Sequence, residues 1–370
     1  MAQTRRGCGC LLAALLVLGA AAGLVFYKFF WPAIEERRRE APPPASGDEL
    51  RVHVLDVGQG DSILIVAPGG KVVLVDASNP GQGKKILAKM QQYGAGQVDL
   101  LVATHAHADH IGAADEVMNA TSVKTVLDSR VPNTTKNYQD FLAAVEGKVV
   151  AAGGQYVGAE PGQSFELGGG ARLVVLAPIQ PLFTREDVRA GGNEPNANSV
   201  VLRLDYGDFS MLLTGDAEAQ TEDRMMQKGA NVAADVLKVG HHGSKYATSE
   251  EFLRRGEFKA AVVSCGADNR YGHPSQEVLD RLKAQNVRLY RTDLQGDITI
   301  TTRGRDDFDV KAERQPKEEM WSGRKPQKDD SARSGFIAYG DFGPAPRNRN
   351  ENNSNANGNN RNSNNRNSRR

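Results

Sequence analysis

Apolar and polar positions along the 370 residues fall into three regimes. The first is one long apolar run from Leu11 to Tyr27, extended by Phe29, Phe30 and Trp31 around a single Lys28. It approaches the roughly 20 residues that span a bilayer. Arg5 and Arg6 precede it, and Ala20-Ala21-Ala22 offers a small-residue cleavage site. Because the apolar character continues past those alanines, an uncleaved anchor is preferred to a cleaved signal peptide, and both readings stay open. Aromatics at the end of the run suit a membrane interface. Arg37-Arg38-Arg39 charges the far flank as well, which weakens the positive-inside argument. An anchor would leave the bulk of the chain on the extracytoplasmic side. Residues 1–32 are read as this membrane segment, and residues 33–49, with Pro42-Pro43-Pro44, as a linker.

The second regime, residues 50–304, alternates short apolar runs with amphipathic ones. Strands are predicted over Arg51–Val57, Ser62–Val66 and Val72–Asp76, separated by Gly58-Gln59-Gly60 and Pro68-Gly69-Gly70. A helix near Lys84–Tyr93 and a strand at Asp99–Ala103 follow. Further strands are expected at Ala171–Leu176, Val200–Asp205, Phe209–Thr214, Val236–Val239, Ala260–Ser264, Val287–Tyr290 and Ile298–Thr301. Helices are expected at Glu218–Lys228, Ser249–Arg255 and Gln276–Ala284. Two sheet-rich halves with helices outside make a layered α/β sandwich.

The third regime, residues 305–370, loses periodicity. Past Pro346 it is Asn, Arg and Ser, with six arginines against Glu351 alone, and cannot bury a core. It is read as a disordered basic tail. A solubilising role is preferred, with contact to nucleic acid or an anionic surface left open.

Composition changes little in this picture. Hydrophobic residues are 39%, charged residues 25%, and the formal net charge is +1, so global charge announces no nucleic-acid partner. Cys8, Cys10 and Cys265 form no C-x-x-C pair, which argues against a disulfide framework and a thiolate zinc site.

The chemistry lies in the residues just after the apolar strands. His105-x-His107-x-Asp109-His110 follows the strand ending at Ala103. Imidazole and carboxylate are preferred ligands of zinc and related ions, and no folding need explains this density. Thr214-Gly215-Asp216, Gly240-His241-His242-Gly243-Ser244 and Tyr271-Gly272-His273-Pro274 also follow strands. Each alone reads as a turn. Strand ends on one edge of a sheet converge, however, so together they read as one site. Two divalent ions about 3.5–4 Å apart, bridged by a carboxylate, would suit this ligand count. Two adjacent histidines point differently, so at most one of His241 and His242 would bind a given metal while the other faces substrate. No Ser-His-Asp or Cys-His arrangement and no Walker-type loop competes. His53, alternating with Val52 and Val54 in the first strand, is read as structural.

These motifs resemble the metallo-β-lactamase fold superfamily. Val54 to Ser62, Asn198-Ser199-Val200-Val201-Leu202 and Asp235 to Ser244 narrow the resemblance to the metallo-hydrolase domain of ComEC-type DNA-uptake proteins. The resemblance runs from about Arg51 to Ile300. It implies a four-layer αββα sandwich and a dinuclear site, zinc first and manganese as the alternative. It places His105 and His107 on the first metal, Asp109 and His110 on the second, and Asp216 as the bridge. By likeness to RNase J, His273 is the last ligand of the second metal and His241 contacts phosphate. His242 completes the first metal or contacts substrate. A further histidine ligand of many members has no counterpart, and Asn198 stands near its place. Asp61 is assigned an orienting role or a turn cap, and Ser244 a substrate contact. Asp109, His241 and His242 are the expected catalytic residues.

The implied activity is a phosphodiesterase, with a phosphate ester as substrate and DNA as the candidate polymer. A phosphorylcholine-like ester or a β-lactam is the alternative substrate. A non-catalytic wall- or DNA-binding protein with a vestigial site is the alternative of another class. ComEC proteins carry many transmembrane helices and this chain one candidate span, so an uptake role would need partner proteins.

Overall fold

Runs of Val, Ile and Leu with both faces buried become strands, and the longer amphipathic stretches become helices that cover them. The computed structural model describes residues 47–189, 193–305 and 307–326. The expected anchor (1–32), most of the linker and the tail beyond 326 lie outside the described residues. Among the described residues no helix is long and apolar enough to cross a membrane.

The first half of the chain runs β1 (Leu50–Val54), β2 (Ile63–Val66), β3 (Val72–Val75), α1 (Gly83–Gln92), β4 (Val98–Ala103), α2 (Ala108–Ile111), α3 (Ala114–Ala120), β5 (Val123–Asp128), α4 (Lys136–Ala144) and β6 (Gln155–Gly158). The second runs β7 (Ser164–Gly168), β8 (Ala171–Ala177), α5 (Glu194–Ala197), β9 (Val201–Tyr206), β10 (Phe209–Leu213), α6 (Ala219–Gln227), β11 (Val236–Lys238), α7 (Glu250–Gly256), β12 (Ala260–Val263), α8 (Gln276–Ala284), β13 (Arg288–Arg291), α9 (Thr292–Gln295), β14 (Ile298–Thr302) and β15 (Asp309–Ala312). One sheet has the order β15-β14-β1-β2-β3-β4-β5-β6, the other β13-β12-β11-β10-β9-β8-β7.

Alternation along the strands explains the layering. Val73 and Val75 of β3 join Leu202, Met211 and Val262 in a core between the sheets. Their neighbours Val72 and Leu74 face Ile86 of α1, Val117 of α3 and Phe141 of α4. On the far side, Leu237 and Ala261 pack with Met225 of α6, Phe252 of α7 and Leu279 of α8. The order is helices, sheet, sheet, helices. His53 lies in β1, with its ring stacked on Tyr93 at 3.7 Å and Nδ1 2.9 Å from Thr299 Oγ1.

Two regions differ from the sequence reading. Between His110 and Ala171, where no element was assigned, stand α3, β5, α4, β6 and β7. β6 and β7 are edge strands with mostly half-exposed or exposed residues, so they lack a strong apolar signature. The first sheet also runs past residue 304: β15 pairs antiparallel with β14, and Arg291 holds the carbonyls of Met320 and Ser322 at 2.9 and 2.7 Å.

What matters for function is the parallel core of each sheet. β3, β4 and β5 run parallel, as do β10, β11, β12 and β13. The C-terminal ends of these strands therefore open on one edge.

Candidate metal centre

The loop after β4 is anchored before it turns. Thr104 N and Oγ1 each donate to Asp76, at the end of β3, at 2.8 Å. His107 then caps α2, which presents Asp109 and His110 one after the other. Gly60, at φ 132°, lies where a Cβ would meet the Asp109 carbonyl at 2.4 Å, so only glycine admits this approach. Asp61 N donates to that same carbonyl at 3.1 Å.

The turn after β11 is more unusual. His241 (φ 46°, ψ 49°) and His242 (φ 53°, ψ 20°) are both left-handed. For non-glycine residues such a conformation costs on the order of 1–3 kcal/mol each, and it concentrates at functional sites. A Cβ on Gly240 would meet the Ala217 carbonyl at 2.8 Å, and Gly243 has φ 86°. The two glycines let the histidines diverge.

Two groups of ligand atoms result, each within 4.8 Å: His105, His107 and Asp216, and Asp61, His110, Asp216 and His242. Asp216 belongs to both. Its Oδ2 faces His105 Nε2 at 3.8 Å, and its Oδ1 faces His110 Nε2 at 3.2 Å and His242 Nε2 at 3.5 Å. Asp109 Oδ2 stands 3.3 Å from His242 Nε2. His242 thus sits with His110 and not with the first group, which was one of the two places expected for it. The side facing Asp216 Oδ2 is bordered instead by His241, whose Nε2 is 3.7 Å from that oxygen. His273 falls in neither group: its ring lies 5.4 Å from that of His241 and 6.3 Å from that of His242.

Asn198, expected near the missing histidine's place, is turned away. Its amide bonds the Phe183 backbone at 2.8 and 2.9 Å and the Glu194 carbonyl at 3.0 Å. Asn196 reaches the site instead, with Nδ2 3.2 Å from His241 Nε2. Ser244 is buried and accepts from Tyr246 N at 3.4 Å, shaping the turn. Asp61 is likewise more than a turn cap: its Oδ2 is 2.8 Å from Lys238 Nζ, and its Oδ1 is 3.3 Å from His242 Nδ1.

The hydrogen bonds argue for cations. His110 Nδ1 is 2.7 Å from Asp76 Oδ2, and His242 Nδ1 is 3.0 Å from the Ser264 carbonyl. If these outward nitrogens carry the protons, both Nε2 atoms are bare, and they stand 3.2 Å apart beside carboxylates. The buried oxygens Asp216 Oδ1 and Asp61 Oδ1 accept no hydrogen bond. Only added protons or a cation satisfy that arrangement. Without metal the protons win. Burial pulls His242 down, but Asp216, Asp61 and Asp109 outweigh it and lift it to about 10. His110 is raised well above the usual value for the same reason, through Asp216 and Asp76. His105 and His107 are lowered, chiefly by burial. Mixed imidazole and carboxylate donors with a shared carboxylate fit a pair of divalent ions.

Asp76, Lys238, Asn196 and Glu218 were missed by the sequence reading. Asp76 follows an apolar strand on the same edge as Asp216, a signal of the kind used there. Lys238 is a charge inside the apolar run Val236 to Val239. Asn196 and Glu218 carried no comparable signal.

A family profile described as the metallo-beta-lactamase superfamily matches residues 55–267. The chain is 34% identical over 280 residues to ComE operon protein 3 of Bacillus subtilis, covering 71% of this chain and 34% of that protein. It is 31% identical over 256 residues to recombination protein 2 of Haemophilus influenzae, covering 68% of this chain and 28% of that one. It therefore spans about a third of the length of the curated relatives it matches. Among solved structures, Igni18, a metallo hydrolase from Ignicoccus hospitalis, superposes with a TM-score of 0.41 at 15% identity, covering 69% of this chain and 98% of that one. With its profile match across more than half of the chain, the protein belongs to the metallo-β-lactamase superfamily, and it has relatives among named competence proteins.

Proposed function

We propose that the protein is a metal-dependent phosphodiesterase, a nuclease in kind, held outside the cytoplasm by its N-terminal apolar run. The observation that carries this is Asp216, which belongs to both ligand groups with His241 beside it. His105, His107 and Asp216 would hold one ion, and Asp61 or Asp109 with His110, His242 and Asp216 the other. Zinc suits the nitrogen-rich first group, and manganese the second. A divalent pair at such a site supplies, when bound, a water acidified toward neutral pH and positive charge for phosphate oxygens.

The chain's own residues supply the proton handling. Asp109, partly exposed at the mouth, is placed to take the proton of the attacking water. His241 Nδ1 is 3.4 Å from Glu218 Oε1, and its Nε2 looks toward Asp216. Glu218 thus orients the imidazole, whose other nitrogen faces the centre and is placed as general acid toward the leaving oxygen. Asp76 fixes the ring of His110. The relatives named for competence and recombination favour DNA as the polymer.

The test is full-length protein loaded with Zn²⁺ or Mn²⁺, offered single- and double-stranded DNA, RNA and bis-p-nitrophenyl phosphate. Turnover of a phosphodiester is expected. Turnover of none, with cleavage of an unrelated ester or a β-lactam, rejects the reading.

A further inference from the structure

A cavity of about 230 Å³ lies beside this site and shares only its Glu218 wall with the scheme above. Its walls include Arg189, Glu218, Gln220, Lys245, Tyr246 and Arg281. Two donors of these residues, Arg281 Nε and Gln220 Nε2, are buried without a hydrogen-bond partner, and buried donors left open call for an acceptor. The Arg281 guanidinium is held in place by the carbonyls of Lys245 and Ala247, at 3.1 and 3.0 Å. Among the described residues no carboxylate stands in ion-pair contact with Arg281 or Lys245, although Glu222, Glu250 and Glu277 act on Arg281 from farther off. Arg189 already pairs with Asp223 at 2.6 Å, and Glu218 turns to His241.

Tyr246 adds an independent observation. Only three large apolar side chains are exposed among the described residues, and Tyr246 and Tyr271 are two of them. Both border the histidines: Tyr246 follows the 240–244 turn, and Tyr271 stacks on His273 at 5.7 Å. An exposed ring with a lysine ammonium 5.2 Å from its centroid and an arginine in the same wall is a combination that receives a base and its phosphate.

We propose that this cavity is a subsite for the nucleotide next to the scissile phosphate. Lys245 and Arg281 take the neighbouring phosphate, and Tyr246 stacks against the base. The proposal rests on the phosphodiesterase reading. Position supports it: the Glu218 wall stands 3.4 Å from His241, whose far nitrogen is 3.7 Å from Asp216. The cavity therefore begins one imidazole width from the shared carboxylate. Its volume, below the roughly 300 Å³ of drug-sized pockets, suits a phosphate and part of a sugar.

The experiment compares wild type, Lys245→Ala and Tyr246→Ala as metal-loaded full chains. Substrates are a 12-nucleotide oligomer and bis-p-nitrophenyl phosphate, which has no neighbouring nucleotide. The ratio of kcat/KM, oligomer over small ester, is expected to fall about tenfold in each variant. Binding of the labelled oligomer to metal-free protein, followed by fluorescence anisotropy across a salt series, gives a readout independent of catalysis. Lys245→Ala is expected to lower the slope of log affinity against log salt by about one. An unchanged ratio with an unchanged slope overturns the subsite. Wild type that cleaves the small ester and not the oligomer also overturns it but spares the phosphodiesterase reading. Wild type that cleaves neither overturns that reading itself.

Discussion

Lys238 offers the most searching test of how the site is built. Its side chain is fully buried, and its ammonium lies 2.8 Å from Asp61 Oδ2. Methionine keeps the stem and deletes the charge, leaving a buried carboxylate with His242 at 3.3 Å and, farther off, His110. Breaking a buried pair from one side costs about 3–5 kcal/mol. Because His242 retains part of the compensation, the loss belongs at the lower end, near 3 kcal/mol. The same pairing shows in the titration: burial alone would raise the Asp61 carboxyl, yet Lys238, with His242, holds it down from 3.8 to about 2. For a folded unit this large, 1 kcal/mol shifts melting by about 2 °C, so metal-free Lys238→Met should melt about 6 °C lower at pH 7. The sign with pH follows. A carboxyl depressed in the folded state contributes fully above its ordinary value, and that contribution is lost as pH falls toward 2. The deficit of the variant should therefore close between about pH 4 and pH 2. Calorimetry in EDTA across this range, with Asp61→Asn and the double variant, completes the cycle. The double variant should regain most of the loss, since no charge is left stranded. A deficit that ignores pH, or a double variant as unstable as the sum of the singles, refutes the reasoning.

Asp216→Asn should lose both ions, His242→Ala one and His273→Ala none, as counted by mass spectrometry of dialysed protein; two ions retained in Asp216→Asn would break the shared-carboxylate scheme. Asp76→Asn should weaken metal binding about 10- to 100-fold in a chelator competition, because it removes the acceptor that orients His110. His241→Ala should lower kcat about 10²- to 10⁴-fold on an oligonucleotide but far less on bis-p-nitrophenyl phosphate, whose leaving group needs no proton. Equal losses on both substrates would make His241 a binding residue instead.

The elements legible in the sequence were those buried on both faces. β2 and β3 are unbroken apolar runs, and β4 is one after Asp99, because helices cover one side and the opposite sheet the other. β6 and β15, on sheet edges, alternate too little apolar surface to stand out. In the site, residues that follow strands were readable by position, and Asp216 and the 105–110 string lie where that rule put them. The partition of His241 and His242 was not readable, because it depends on two consecutive left-handed residues and the flanking glycines only hint at such a turn. Asn198 misled for a related reason. It stands at the expected place in sequence, but the Phe183 backbone captures its amide and Asn196, two residues earlier, faces the site.

The first sheet is closed by a strand from the far end of the domain. β1, at Leu50–Val54, pairs on one side with β2 and on the other with β14, at Ile298–Thr302. During synthesis β1 therefore waits for nearly the whole domain with one edge unpaired. Every ligand-type residue of the centre, through His273, emerges before that edge is sealed. A nascent chain released before residue 298 would carry all of the chemistry on an open sheet, free to pair with another chain. Completion of the fold, and not of the site, is the late step in making this protein.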